Sequence, residues 1–99
     1  MNSREIIWFD GEWSTTDKPV IGLTDHALWM ASGVFDGARS VKGYLPDLEP
    51  HCQRAIRSAI TMGMAPKISA EQIADLVREG LKQLPHDTDY YIKVLFFSP

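Results

Sequence analysis

The chain has 99 residues, of which 44% are apolar, and a formal net charge of -3 at pH 7. This length and composition are typical of one globular domain with a modest core. The acidic balance argues against a nucleic-acid-binding surface, which is usually basic. Cys52 is the only cysteine, so no intrachain disulfide can form, and no apolar run is long enough to span a membrane. We therefore expect a cytoplasmic protein without a nucleic-acid or membrane partner.

Strand and turn signals dominate the start of the chain. Asp10-Gly11 separates the aromatic-rich segments 6–9 and 12–14. Because both turn residues tolerate positive φ, they predict a β-hairpin. A polar connection follows, and residues 19–22 are predicted to form a short extended piece.

The next segment is predicted to turn and then extend. Thr24-Asp25 is expected to cap a helical turn over residues 26–30. An extended segment follows over residues 33–41, and Lys42-Gly43 is a second predicted hairpin turn. The glycines inside the extended segment indicate a strand that is shaped around a ligand.

Two segments then have helical spacing. Asp47 is the expected N-cap of the first helix. Ser69 and Gln72 fit a capping box at the start of the second helix, which Pro85 ends. The apolar stripe of the first helix contains Leu48, Cys52, Ala55, Ile56, Ala59 and Ile60. The second helix is expected to bury Ile73, Leu76, Val77, Leu81 and Leu84.

Residues 89–99 are strongly strand-like and mostly apolar, which predicts a central strand buried on both faces. The order of elements indicates an α+β fold, with a small antiparallel sheet and two helices on one face. Since the chain stops at its most apolar strand, we expect residues 1–99 to be the first part of a longer protein.

Arg54 lies on the first helix beside the apolar stripe. A guanidinium there could bind a phosphate or a carboxylate through two parallel hydrogen bonds. The alternative is an exposed helix arginine that pairs with Glu49 or Ser58.

Arg39 and Lys93 are each embedded in apolar strand segments, where a cation must be paired or must face a cavity. Strand alternation places Phe35, Gly37 and Arg39 on one face, and Tyr91 and Lys93 on one face of their own strand. The two sets would line one pocket if the strands are neighbours. The alternative is an edge-strand lysine and a solvent-facing arginine.

The histidines show no metal-ligand spacing, so no metal site is predicted. His26 is expected to hold its turn, and His51 lies near Arg54 on the helix. Cys52 is predicted to be a small core residue rather than a nucleophile. Trp29, Met30 and Phe35 could form the wall of an apolar pocket, but we predict core positions for these side chains.

Four motifs occur in order along the chain: Ile7-Trp-Phe-Asp-Gly-Glu12; His26-Ala-Leu with Gly33-Val-Phe-Asp-Gly-Ala-Arg39; His51-Cys-Gln-Arg54 with Ser58-Ala59; and Tyr91-Ile-Lys93. In these motifs the chain resembles the small N-terminal domain of class IV (fold type IV) pyridoxal-phosphate-dependent aminotransferases. It is most similar to the branched-chain amino acid aminotransferases. The resemblance covers nearly the whole chain.

This resemblance implies pyridoxal 5'-phosphate as the cofactor, with Arg54 holding its phosphate. It also implies that Phe35, Gly37 and Arg39 line the substrate side of the cofactor. The lysine that forms the Schiff base lies in the second, larger domain of the family. The resemblance therefore assigns no catalytic residue to this chain, and the chain alone would be inactive.

Two positions depart from the family pattern. Tyr91 and Lys93 match a Tyr-Ile-Arg motif whose arginine helps to bind a substrate carboxylate, and the lysine keeps the charge but loses the bidentate fork. Met30 stands where many branched-chain enzymes have a pocket tyrosine, which removes a hydroxyl donor. Both changes bear on the choice of amino acceptor.

The resemblance implies transfer of an amino group between a branched-chain or other apolar amino acid and a 2-oxo acid such as 2-oxoglutarate. It also implies a second domain and a homodimer that completes the active site. A D-amino acid transaminase, an amine transaminase or an aminodeoxychorismate lyase of the same fold remains open. So does a non-catalytic α+β interaction module.

Overall fold

The structure is a computed structural model that describes residues 5–98. Residues 1–4 lie outside this range, as does Pro99, with which the last predicted strand ends. The described chain has an α+β architecture, as its sequence predicts. Its elements in order are β1 (Ile7–Phe9), β2 (Glu12–Ser14), α1 (His26–Met30), β3 (Gly33–Ser40), α2 (Leu48–Thr61), α3 (Ala70–Lys82) and β4 (Tyr90–Phe97).

The strands form two separate antiparallel sheets of two strands each, where one small sheet was predicted. The first sheet is the predicted hairpin of β1 and β2. Its turn residues Asp10 and Gly11 have φ of 55° and 84°, the left-handed values that a tight two-residue hairpin needs. Residues 19–22, predicted to be extended, form no strand.

The second sheet pairs β3 with β4 antiparallel over the whole length of both strands. The predicted turn beyond β3 is present, because Lys42 and Gly43 have φ of 52° and 80°. Val41 and Tyr44 exchange two backbone hydrogen bonds of 2.8 and 2.9 Å across this turn.

The prediction of β4 as a central strand buried on both faces is wrong for the part of the chain that the structure describes. Its only strand partner there is β3. Along β4 from Tyr90 to Phe96, half-buried and exposed side chains alternate, and Phe97 is half-buried like Phe96. Such alternation is typical of a sheet with one face packed and the other open.

Helix α2 packs against β3 and β4, and α3 packs against α2. The core between them contains Leu48 and Cys52 from α2 and Ile73 and Ala74 from α3. Cys52 and Ala74 have small side chains, which favour close packing of α2 against α3 at this contact. The end of the predicted α2 stripe is an exception, because Ile60 is exposed.

The helix starts differ in how they are capped. Ser69 and Gln72 form the predicted capping box, with both reciprocal hydrogen bonds present at 3.1 and 2.8 Å. Asp47 and Asp25 occupy the predicted N-cap positions, but neither side chain caps its helix. The Asp25 carboxylate instead accepts a 2.7 Å hydrogen bond from the amide of Gly22.

Helix α3 also supports the β1–β2 hairpin, because the indole ring of Trp13 lies against Gly80. Of the other residues that the second helix was predicted to bury, Leu76, Val77 and Leu81 lie in α3, whereas Leu84 lies two residues beyond its end at Lys82. All four are half-buried. Among the described helices, none is long and apolar enough to cross a bilayer.

Candidate functional site

The open face of the β3–β4 sheet carries five of the side-chain positions predicted from the sequence. Phe35, Gly37 and Arg39 alternate along β3 with buried residues and so share the outer face. The strand register places Gly37 opposite Lys93 and Arg39 opposite Tyr91. The two predicted sets therefore lie side by side on one surface, because their strands are neighbours.

Tyr91 covers the strand backbone at Gly37. A Cβ atom added to Gly37 would lie 2.9 Å from the ring carbon Cζ of Tyr91 and closer still to its hydroxyl oxygen. Only a residue without a Cβ lets the ring lie this close to the strand. The prediction that Gly37 permits a close approach is thus explained by a neighbour within the chain.

The two strand cations have different surroundings. The ammonium of Lys93 lies 4.7 Å from the centre of the Phe35 ring, within the range of a cation–π interaction. Arg39 is exposed on the same face. This face therefore combines two aromatic rings with two positive charges.

The prediction that Trp29, Met30 and Phe35 are core residues is wrong. Their exposed fractions are 73%, 65% and 60%. Helix α1 has five residues and none of them is buried. Met30 is the last residue of α1, shortly before β3 begins.

Arg54 belongs to a charged cluster on the opposite, helix-packed side of β3. Its Nε and Nη2 atoms donate hydrogen bonds of 2.6 and 2.9 Å to the two carboxylate oxygens of Asp36. The side chain of Asp36 is 5% exposed and that of Arg54 is 58% exposed. Arg54 thus pairs with a strand carboxylate, and neither Glu49 nor Ser58 is that partner.

His51 completes this cluster, because its Nδ1 lies 2.7 Å from Oδ1 of Asp36. The hydrogen bonds from Arg54 lower the pKa of Asp36 from 3.8 to about 2, with a further contribution from His51. Burial of the carboxyl group acts in the opposite direction but is outweighed. Asp36 is therefore ionised at neutral pH.

Sequence reasoning missed Asp36 as a member of this site. Its partners lie 15 and 18 positions further along the chain, so no local spacing connects them. One signal was present in the strand alternation. An acidic residue between Phe35 and Gly37 must face the helix side, where a carboxylate needs a cationic partner.

The other predicted residues have structural contacts. His26 Nδ1 lies 2.7 Å from the hydroxyl of the buried Ser32, which is consistent with the predicted role in holding the turn. Cys52 is fully buried, as predicted, and burial raises the pKa of its thiol. Among residues 5–98 no cluster of three potential metal ligands occurs.

The known proteins that this chain resembles in fold and in sequence are aminotransferases. No family model matches the chain. An aminotransferase from Brucella abortus, solved with its cofactor pyridoxal phosphate bound, superposes with a TM-score of 0.85 at 44% sequence identity, covering 89% of this chain and 31% of that one.

Two curated relatives are similar in sequence. A probable branched-chain-amino-acid aminotransferase of Rickettsia bellii is 28% identical over 94 residues, which are 95% of this chain and 32% of the relative. A chloroplastic D-amino-acid transaminase of Arabidopsis thaliana is 45% identical over 47 residues, which are 46% of this chain and 13% of the relative. The chain spans about a third of the length of the Rickettsia and Brucella proteins. In sequence and fold the chain corresponds to the small N-terminal domain of the class IV pyridoxal-phosphate-dependent aminotransferases.

Proposed function

We propose that this chain is one domain of a two-domain aminotransferase that uses pyridoxal 5'-phosphate. The enzyme transfers an amino group between a branched-chain or other apolar amino acid and a 2-oxo acid such as 2-oxoglutarate. The observation that carries the proposal is the register of β3 and β4, which gathers Phe35, Gly37, Arg39, Tyr91 and Lys93 on one open face.

Arg54 has the chemistry to hold the cofactor phosphate. Asp36 uses the Nε and Nη2 edge of its guanidinium, so the Nη1 donors are not used by this pair. More than half of the side chain is exposed. A phosphate oxygen can therefore take a charge-assisted hydrogen bond from Nη1 while the carboxylate pair stays intact. When bound, the cofactor accepts electrons from the Cα–H bond of the substrate.

The outer face of the sheet has the chemistry to bind the two substrates. The rings of Phe35 and Tyr91 provide apolar surface for a hydrophobic side chain. The charges of Arg39 and Lys93 attract the carboxylates that every amino acid and 2-oxo acid carries. Because Lys93 offers a point charge in place of a planar fork, it selects less strictly for carboxylate geometry.

The remaining parts of the enzyme follow from the same proposal. Met30 stands at the edge of the substrate pocket, where its thioether offers no strong hydrogen bond. The second domain supplies the lysine that binds the cofactor covalently, so none of the catalytic residues is in this chain. A homodimer completes the active site, and the free Cys52 fits a reducing cytoplasm.

The test is the cofactor affinity of the full-length protein after Arg54→Ala. We expect a loss of about 1.5–3 kcal/mol, because the phosphate loses a charge-assisted partner. The affinity is measured by absorbance titration with pyridoxal phosphate. Arg78→Ala is the matched control, since Arg78 is another arginine in an ion pair, with Glu49. Unchanged affinity of the Arg54 variant would refute the role of Arg54.

A D-amino-acid transaminase is the second candidate, and the 45% identity to the Arabidopsis enzyme over 47 residues favours it. The two candidates differ in the stereochemistry of the amino donor. Amino transfer from L-leucine or L-valine to 2-oxoglutarate supports the branched-chain activity. Transfer from D-alanine without transfer from either L-amino acid supports the second candidate.

A further inference from the structure

We propose that Asp36 is a positioning residue that orients Arg54 toward the cofactor phosphate, and that His51 holds Asp36 in place. This inference rests on the proposed function, because it takes Arg54 as the phosphate anchor. Asp36 itself lies behind the guanidinium and does not touch the phosphate.

The hydrogen positions in this cluster follow from its distances. Nδ1 of His51 lies 2.7 Å from Asp36 Oδ1 and 3.1 Å from Arg54 Nη2. An unprotonated Nδ1 would place its lone pair against a carboxylate oxygen, which is unfavourable. Nδ1 therefore carries a proton and donates a hydrogen bond to Oδ1 of Asp36. The short approach to Nη2 arises because two donors converge on one oxygen, as Nη2 lies 2.9 Å from the same atom.

This arrangement gives both oxygens of the Asp36 carboxylate hydrogen-bond donors. Oδ1 accepts from His51 and from Nη2, and Oδ2 accepts from Nε at 2.6 Å. A bidentate pair fixes both the direction and the plane of the guanidinium. Arg54 would otherwise be a long and largely exposed side chain with many rotamers, and ordering such a side chain costs about 1.5–2 kcal/mol.

A role in stability alone explains the cluster poorly. Asp36 is 6% exposed as a residue and stands between Phe35 and Gly37 on β3. Burying a charge is costly, and apolar groups of similar size are often as stable as a buried ion pair. What the buried carboxylate of Asp36 provides is a fixed orientation of the Arg54 guanidinium. The buried end of the pair belongs to a strand, and the exposed end is the guanidinium of Arg54, whose Nη1 donors Asp36 does not use.

The experiment measures binding of two probes, pyridoxal phosphate and pyridoxal, to the full-length protein by absorbance titration. Both probes carry the same ring and aldehyde, and only one carries the phosphate. We expect Asp36→Asn to weaken binding of pyridoxal phosphate on the order of ten-fold and to leave pyridoxal binding unchanged. Glu49→Gln is the matched control, because it removes another carboxylate that pairs with an arginine, Arg78.

A double-mutant cycle adds a second readout. In the Arg54→Ala background, Asp36→Asn should have no further effect on either probe, because its action passes through the guanidinium. His51→Gln leaves the Asp36–Arg54 pair in place and should cause a smaller loss, about three-fold, for pyridoxal phosphate alone. It also serves as the informative variant if Asp36→Asn does not fold.

The outcomes separate the two proposals. If Arg54→Ala weakens binding of pyridoxal phosphate but Asp36→Asn and His51→Gln do not, the positioning role is refuted and the phosphate anchor stands. An equal loss for both probes, or a loss that persists without Arg54, also overturns the positioning role. If Arg54→Ala leaves the affinity unchanged, the anchor itself is refuted and the role of Asp36 falls with it.

Discussion

The substitution Gly80→Ala should have two opposing effects on stability, a gain in helix propensity and a steric clash with Trp13. Gly80 is buried within α3, where an alanine favours the helix by about 1 kcal/mol. The added Cβ, however, would lie 2.9 Å from Cζ3 and 3.1 Å from Cζ2 of the Trp13 ring, and closer still to Cη2. These atoms must retreat by roughly half an ångström or more to reach ordinary contact distance.

The magnitude follows from comparing the two effects. Adding a methyl group to a well-packed site costs about 1–3 kcal/mol. The clash therefore equals or exceeds the gain in helix propensity, and we expect net destabilisation of about 1 kcal/mol. In a Trp13→Leu background the distal ring atoms are gone, and Gly80→Ala should instead stabilise α3 by up to about 1 kcal/mol.

The assay is amide hydrogen exchange of the α3 peptide in the full-length protein, which reports the local free energy of opening. Four proteins complete the cycle: the parent chain, the two single variants and the double variant. A change of sign between the two backgrounds is the expected result. If Gly80→Ala stabilises α3 equally in both backgrounds, the contact between the hairpin and the helix does not constrain Gly80 and the reasoning is wrong.

Two further predictions concern the two faces of β3. Gly37→Ala should displace the Tyr91 ring and lower kcat/KM for an apolar amino acid by about ten-fold or more, while the affinity for pyridoxal phosphate stays constant. Steady-state kinetics test this prediction. An unaltered kcat/KM would show that Gly37 is not part of the pocket wall. Asp36 has a folded pKa of about 2 against an ordinary 3.8, so its stabilisation is complete above pH 4 and is lost as the pH falls toward 2. Since its partner Arg54 is mostly exposed, we expect at most on the order of 2 kcal/mol. Urea unfolding at pH 5 and pH 2.5 should show a smaller difference for Asp36→Asn than for the parent chain, and equal differences would contradict the assigned ion pair.

The elements that the sequence predicts well are those fixed by local chemistry. The hairpin turn at Asp10-Gly11 requires only residues that tolerate positive φ. The capping box of Ser69 and Gln72 requires only hydrogen bonds within one helical turn. Both signals act over four residues or fewer, so no tertiary contact is required to recognise them. Strand alternation likewise places Phe35, Gly37 and Arg39 on one face of β3, although it does not indicate whether that face is covered.

The predictions that fail depend on what covers a side chain. Tyr91 and Leu95 are as apolar as core residues, yet they are 61% and 50% exposed on the open face of β4. Hydrophobic pattern alone cannot distinguish a surface that packs inside the domain from one that meets a ligand or another domain. Asp36 was missed for a related reason, because its partners come from a helix that only the fold brings near.

The alternation of β3 divides two tasks between neighbouring residues. Phe35 and Gly37 belong to the proposed substrate wall, and Asp36 between them supports the proposed phosphate anchor. If both proposed roles hold, substitutions of Phe35 or Arg39 on the outer face should alter substrate preference while cofactor binding is retained. A one-residue insertion or deletion in this strand would have the opposite outcome, since it would exchange the two faces and disable both tasks at once. Natural or engineered variants with new specificity should accordingly accumulate substitutions at 35 and 39, while Gly37 and the length of the strand are retained.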